Sequence, residues 1–237
     1  KDLLIVGSQL DIPDYLRRLL ENSELKDEMV SFLECADLNI KDITVRQIAV
    51  KPDELSAQIA KRFNISIPEK HSEIFTLHTT FKNGKAIGKS ELPLQLESVG
   101  TRRIFYIMLT IIYSQLQGNS KTLLIDEFDN SLHSELARTL IKIFNLEQSK
   151  NQYILTTHNV DLLDDDIRVD QMLLMEKDEE GASHLKSIYD INSSPSKGRH
   201  DVSFAKRYIK GQFGAVPSIN LEGFKNILDT IHQKFNK

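Results

Sequence analysis

The stretch TLLIDEFDNSLH, residues 122–133, decides the reading of this chain. Its first four residues suit a buried strand, and that strand runs straight into two adjacent carboxylates, Asp126 and Glu127. A second short apolar run, YILTT (153–157), follows after one helix's worth of sequence, LHSELARTLIKIFNLEQS (132–149). Strand, helix and strand in this order form a β-α-β unit, whose strands are expected to be parallel and buried on both faces. His158 closes the second strand in YILTTHN (153–159). Asp126, Glu127 and His158 are therefore expected on one edge of one sheet, the edge beyond which open α/β sheets bind ligands.

Outward from this unit, TRRIFYIMLTIIYSQLQG (101–118) is apolar on most faces, too long for a strand and closed by Gly118, so it reads as a buried helix. Upstream, IPDYLRRLLENSELKDEMVSFLECADL (12–38) carries apolar residues at three- and four-residue spacing and reads as two helices, the second capped by Ser23. DITVRQIAV (42–50) and EIFTLHTTF (73–81) read as strands, and Asn83-Gly84 in FKNGKAIG (81–88) suits a tight hairpin. Downstream, VDQMLLMEK (169–177) and SHLKSIYDI (183–191) read as strands joined by the turn DEEG (178–181). NSSPSKGRH (192–200) reads as a loop, and DVSFAKRYIKG (201–211) and LEGFKNILDTIHQKFN (221–236) as helices.

With 40% hydrophobic and 27% charged residues in 237, the chain has the composition of a soluble globular protein of one large or two small domains. A net charge of −4 does not demand nucleic acid as a partner. The single cysteine, Cys35, excludes an intramolecular disulfide, fits a reducing cytoplasm and reads as a packed core thiol. No apolar run is long enough to cross a bilayer, and the start lacks both a signal-peptide pattern and an initiator Met.

The chemistry gathers at three places. A carboxylate at a strand end can hold Mg²⁺, which prefers hard oxygen ligands, and a second beside it can deprotonate a water for attack on a γ-phosphate. A histidine on the same edge can donate a hydrogen bond to a γ-phosphate oxygen. In LESVGTRR (96–103), Ser98 and Gly100 stand before the long buried helix, whose first-turn N–H groups make an anion site. Taken singly, each feature also has a plain reading: solvated loop acids, a surface histidine, an ordinary helix cap. Arg102 and Arg103 either reach phosphates from this helix or face solvent. His71, His78, His184, His200 and His232 show no metal-ligand spacing, and the acids of DLLDDDIRVD (161–170) read as a solvated loop.

In this order the three features resemble the ABC-type ATPase heads. Ser98-Val99-Gly100 is similar to a reduced signature loop, LLIDEFD (123–129) to a Walker B strand with its catalytic glutamate, Asn130-Ser131-Leu132-His133 to the D-loop, and TTHN (156–159) to the switch. ESVGTRR, IDEFDNSLH, TTHN, RVDQMLLMEK and GQFGAVP together resemble the ABC-like AAA-type ATPases of abortive infection and phage defence, across about residues 30 to 220. The resemblance implies an α/β head with a mostly parallel sheet flanked by helices and a smaller antiparallel portion. It implies residues 1–70 as a helical insertion or lead-in and 71–237 as the C-terminal lobe. It further implies ATP and Mg²⁺ as cofactors, with Asp126 on the metal, Glu127 activating water and His158 on the γ-phosphate. Ser98 and Gly100 would then reach the nucleotide of a second copy, and residues 130–133 would line the dimer seam. The implied partners are a second copy or higher homo-oligomer and an effector protein. On this view Gly100→Asp leaves monomer folding intact and blocks ATP-driven dimerisation. Gly211, Gly214 and Pro217 share in the resemblance, and a tight turn after a helix is sufficient reason for them.

A P-loop needs Gly, four residues, then Gly-Lys-Ser/Thr. GKAIGKS (84–90) has three residues between its glycines and sits at a hairpin turn, so Lys89 reads as a solvated strand residue. Either the P-loop lobe lies outside this chain or the head does not hydrolyse. Repair-type heads of the RecF and SMC kind share the same core motifs. A Toprim-type metal nuclease also places acids at strand ends, although DEFD (126–129) departs from its D-x-D pattern. A non-catalytic scaffold is the third class.

Overall fold

The computed structural model describes residues 3–7, 10–50, 53–117, 120–146, 150–191, 203–214, 216 and 219–235. They fall into two compact units, residues 1–159 and 160–237. The first carries β1 (Leu3–Val6), α1 (Asp14–Arg17), α2 (Ser23–Cys35), β2 (Asp42–Ala49), α3 (Glu54–Phe63), β3 (Lys70–Lys82), β4 (Lys85–Pro93), α4 (Val99–Leu116), β5 (Thr122–Ile125), α5 (Ser134–Phe144) and β6 (Gln152–Leu155). The chain is α/β, with a parallel sheet ordered β1-β5-β6 and an antiparallel sheet ordered β2-β3-β4.

The β-α-β unit forms as its pattern predicts: β5 and β6 run parallel with Leu123 opposite Tyr153 and Ile125 opposite Leu155. The apolar stripe of α5, Ala137, Leu140, Ile141 and Phe144, is buried, and Phe144 stacks on Tyr153 with ring centroids 4.4 Å apart. The expectation of burial on both faces is corrected. Because side chains alternate, Leu4, Leu123 and Tyr153 share one face and Ile5, Leu124 and Ile154 the other. Among the described residues that second row is open, with Ile5 59% and Ile154 45% exposed. Helix α4 is the centre of the core: Ile104, Phe105, Ile107 and Leu109 are wholly buried.

In the antiparallel sheet Asn83 and Gly84 both have positive φ, 51° and 74°, the geometry of a type I′ turn. GKAIGKS thus lies in the turn and on β4, an antiparallel strand, and not between a buried strand and a helix. Two smaller expectations are corrected here. Asn22, not Ser23, caps α2, its side-chain oxygen accepting from the Leu25 N–H at 3.1 Å. Cys35 is exposed. It lies two residues past Leu33, about 200° round the helix from the face that buries Met29 and Leu33.

The second unit carries β7 (Leu173–Lys177), β8 (Ser183–Ser187), α6 (Ile188–Ile191), α7 (Phe204–Ile209) and α8 (Leu221–Phe235). The two strands pair as the expected hairpin but are shorter than expected, since Val169–Gln171 forms a 3₁₀ turn and Ile188–Ile191 is α6; beside them lies a small core of Met172, Leu174, Ile188 and Phe213. Asp164, from the acidic run, caps α7: its carboxylate accepts from the Phe204 N–H at 2.5 Å and the Ser203 hydroxyl at 2.6 Å. Gly211, at φ 71°, ends α7 with bonds from its own N–H to the Tyr208 carbonyl and from the Gln212 N–H to the Arg207 carbonyl, a Schellman closure. Gly118, Pro217 and the loop 192–200, with His200, lie outside the described residues. No helix among the described residues is long and apolar enough to cross a membrane.

Candidate functional site

Strand β5 ends at Ile125, and the chain turns at once. The Asp126 N–H still reaches the Val6 carbonyl of β1 at 3.0 Å, so the first acid is held in line with the sheet. Glu127 has φ 47°, a left-handed conformation that few non-glycine residues adopt. Phe128, 1% exposed, anchors the turn in the core, and its N–H donates to the Thr156 carbonyl at 3.0 Å.

Thr156, just past the end of β6, ties the two strand ends together. Its hydroxyl donates to Asp126 Oδ1 at 2.6 Å and accepts from the Glu127 N–H at 2.7 Å. On the Glu127 side chain, Asn130 Nδ2 donates to Oε2 at 3.2 Å and His158 Nε2 stands 3.9 Å from Oε1. The His158 ring is 89% exposed and free to meet a ligand. Glu127, Asp129, Asn130, His158 and Asn159 line an open cleft of about 420 Å³. The structure thus brings Asp126, Glu127 and His158 to one sheet edge, as their positions at strand ends predict.

Ser98 and Gly100 lie elsewhere. With Ser131, Leu132 and His133 they line a second open cleft, which Cys35 and Asp37 also border. Ser98 caps α4: its hydroxyl accepts from the Thr101 N–H at 3.0 Å. His133 caps α5, Nδ1 accepting from the Glu135 N–H at 3.3 Å. The turn at residues 127–133 therefore separates a cleft of acids from a cleft of helix starts.

Gly100 packs directly on this turn. A Cβ at that position would stand 2.4 Å from the Ser131 carbonyl oxygen. The expectation that Gly100→Asp leaves folding intact is corrected: any side chain collides with the backbone of its own chain. Ser131 itself is at φ 64°.

The two readings of Arg103, phosphate or solvent, are both overturned. Arg103 is 2% exposed and its guanidinium is turned inward. Nη1 donates to the Gly7 carbonyl at 2.7 Å, and Nη2 donates to the Glu127 carbonyl at 2.7 Å and also to the Asp126 carbonyl. Burial pulls the pKa of this guanidinium below its usual value, and the negative charges of Asp126, Glu127 and Asp129 act against that. The sequence reading placed Thr156 in the switch-like stretch TTHN without giving it a role of its own, and missed the inward course of Arg103. A hydroxyl residue at a strand end was the further signal for Thr156; for Arg103 it was a charge among apolar neighbours on a helix apolar on most faces.

Among the described residues no three His, Cys, Asp or Glu side chains converge as a closed metal cage. A cation at this edge would take one or two carboxylate oxygens and complete its shell from phosphate and water, the habit of Mg²⁺. The donor set at Asp126 fits that ion.

No curated protein matches the chain. Among solved structures, it is similar to an SMC ATPase studied for ATP-driven dimerization and DNA-stimulated activation, at 13% identity and TM-score 0.39, over 78% of this chain and 99% of that one. It is similar to an Smc head bound to the C-winged helix domain of ScpA, at 12% and 0.38, over 72% of this chain and 44% of that one. A third is an Smc head domain with an extended coiled coil, bound to the C-terminal domain of ScpA derived from Pyrococcus furiosus, at 13% and 0.38, over 71% of this chain and 36% of that one. The chain thus spans less than half the length of the last two. Residues 37–165, more than half of the chain, match the family described as "AAA domain, putative AbiEii toxin, Type IV TA system". That span contains the cleft of acids, the second cleft apart from Cys35 and Ala36, the turn between the two and α4, and the chain belongs to this family of AbiEii-type AAA domains.

Proposed function

We propose that the chain is part of an ATP-binding and ATP-hydrolysing head that pairs around nucleotide and, in abortive-infection defence, senses a phage and controls an effector. The observation that carries the reading is the joint placement of Asp126, Glu127 and His158 on one sheet edge, with His158 3.9 Å from Glu127 and both lining one open cleft. Asp126 holds Mg²⁺; bound there, the ion would neutralise charge on the β- and γ-phosphates. Glu127 takes the proton from the attacking water, and Asn130 steadies its carboxylate from the other side. His158 donates a hydrogen bond to a γ-phosphate oxygen.

Ser98 and Gly100 open on a separate cleft with residues 131–133. That separation supports their serving the nucleotide of a second copy, with residues 130–133 along the seam, so that turnover requires a homodimer or higher homo-oligomer. Residues 1–70, the insertion or lead-in segment, bring β1 and β2 to the two sheets, and residues 71–237 serve as the C-terminal lobe. The phosphate cradle comes from a P-loop lobe outside residues 1–237, because GKAIGKS sits on a strand and its turn. The site of action is the cytoplasm. A Toprim-type nuclease needs a cluster of carboxylates on one metal, which the described residues do not form.

The test is Glu127→Gln in the full-length protein. Turnover is expected to fall about 10²–10⁴-fold, the usual contribution of a general base, with ATP binding retained. The variant is expected to accumulate as an ATP-bound dimer in sedimentation. Near-normal turnover would remove Glu127 from this role.

A further inference from the structure

We infer that Arg103 is a positioning residue that couples the start of α4 to the direction of the Glu127 carboxylate. The inference rests on the proposed role of Glu127. Buried arginines usually face carboxylates; this one donates to three backbone carbonyls, those of Gly7, Asp126 and Glu127. Two of these flank the Cα of Glu127, and the third lies just past the end of β1. The Glu127 N–H is taken by the Thr156 hydroxyl at 2.7 Å. Every backbone polar group adjoining the Glu127 Cα is thus held from outside the turn.

That arrangement has a physical reason. Glu127 is at φ 47° and Ser131 at φ 64°, and non-glycine residues persist there only where their surroundings hold them. Packing alone does not call for a charge at position 103. The neighbouring Ile104 and Phe105 fill the same core with hydrocarbon, and both are wholly buried. A guanidinium is costly to bury, but its rigid fork can grip several oxygens at once, which no apolar side chain can do.

The same helix touches the far end of the turn. Gly100, one turn before Arg103, lies so close to Ser131 that a Cβ would come within 2.4 Å of its carbonyl oxygen. Ser98, Gly100 and Thr101 line the second cleft. Helix α4 therefore grips the turn at both ends, at residues 126–127 through Arg103 and at residue 131 through Gly100. A shift at the start of α4, where a second copy would bring its nucleotide, must be passed to Glu127. Arg103 carries that shift to the acid, so hydrolysis proceeds only when the second cleft is engaged.

The experiment compares Arg103→Met, Arg103→Lys and Glu127→Gln with the wild-type full-length protein. It reads kcat and KM for Mg-ATP, dimerisation with a non-hydrolysable ATP analogue, and Tm. In Arg103→Met, kcat is expected to fall about 10²-fold, the effect of a small misplacement of a reacting group. KM and analogue-driven dimerisation are expected to stay within about threefold, because neither depends on the aim of Glu127. Lysine keeps the charge and some donors, so Arg103→Lys is expected to recover roughly tenfold of that loss. If Arg103→Met does not fold, Arg103→Lys carries the test, with the same split between kcat and KM. Full kcat in the folded Arg103 variants beside an inactive Glu127→Gln overturns the coupling and leaves the role of Glu127 standing. A kcat that drops only in step with the folded fraction overturns it too. Near-wild-type turnover in Glu127→Gln overturns the role of Glu127 and, with it, the coupling.

Discussion

Replacing Gly100 by alanine adds one methyl group, and two effects of opposite sign decide the outcome. Helix propensity favours alanine over glycine by up to about 1 kcal/mol, and less in a first turn than in a helix interior. The contact opposes it. The new Cβ would stand 2.4 Å from the Ser131 carbonyl oxygen and 3.5 Å from its carbon, against an ordinary separation of about 3.5–4.0 Å between non-bonded heavy atoms. The obstacle is backbone, so no rotamer change relieves it. Ser131 is itself in a left-handed conformation, and the turn is pinned by the Leu132 N–H on the Asp129 carbonyl at 3.0 Å. Overpacking of this kind costs about 1–3 kcal/mol. Set against propensity, the net is a destabilisation of about 1–2 kcal/mol, or roughly 2–8 °C in Tm for a chain of this size. Thermal and urea unfolding of Gly100→Ala beside the wild type measures it. A variant as stable as wild type, or more so, would show that the turn yields freely and would refute the close packing of α4 on residue 131.

Two further perturbations bear on the scaffold around the acids and on the first unit. Thr156→Val keeps the shape and removes the hydroxyl that bridges Asp126 and Glu127; a loss of about 0.5–1.5 kcal/mol is expected in urea unfolding, with at least tenfold slower ATP turnover, and unchanged values in both would refute the bridge. Asp14 accepts the Ser72 N–H at 3.0 Å, which is the leading reason its carboxyl is held below the 3.8 of a free aspartate. A lowered folded pKa gives stability that is present above 3.8 and lost as pH falls through the folded value. Urea midpoints between about pH 6 and 3 are therefore expected to fall more steeply in the wild type than in Asp14→Asn, and equal slopes would show that the bond contributes nothing to the acid limb.

The sequence by itself determined the elements and the edge. Two short apolar runs on either side of a helix-length segment place β5, α5 and β6 correctly, the pair Asn83-Gly84 fixes a hairpin, and acids and a histidine at successive parallel strand ends must share an edge. These are local rules, and they work because strand and helix geometry repeats every few residues. Only the tertiary structure decided what meets what. Periodicity marks the core-facing stripe of a helix but not its partner, so it cannot say that Arg103 crosses to the carbonyls of Gly7, Asp126 and Glu127. It cannot say that Gly100 packs against the Ser131 carbonyl, because a glycine before a helix reads the same whether or not backbone lies against it. Cys35 followed the wrong rule for the same reason: thiols favour cores, but its place on α2 turns it away from Leu33 and into the open. The parallel strands were equally apolar on both faces in sequence, and coverage of one face alone follows from where the helices pack, which no strand records.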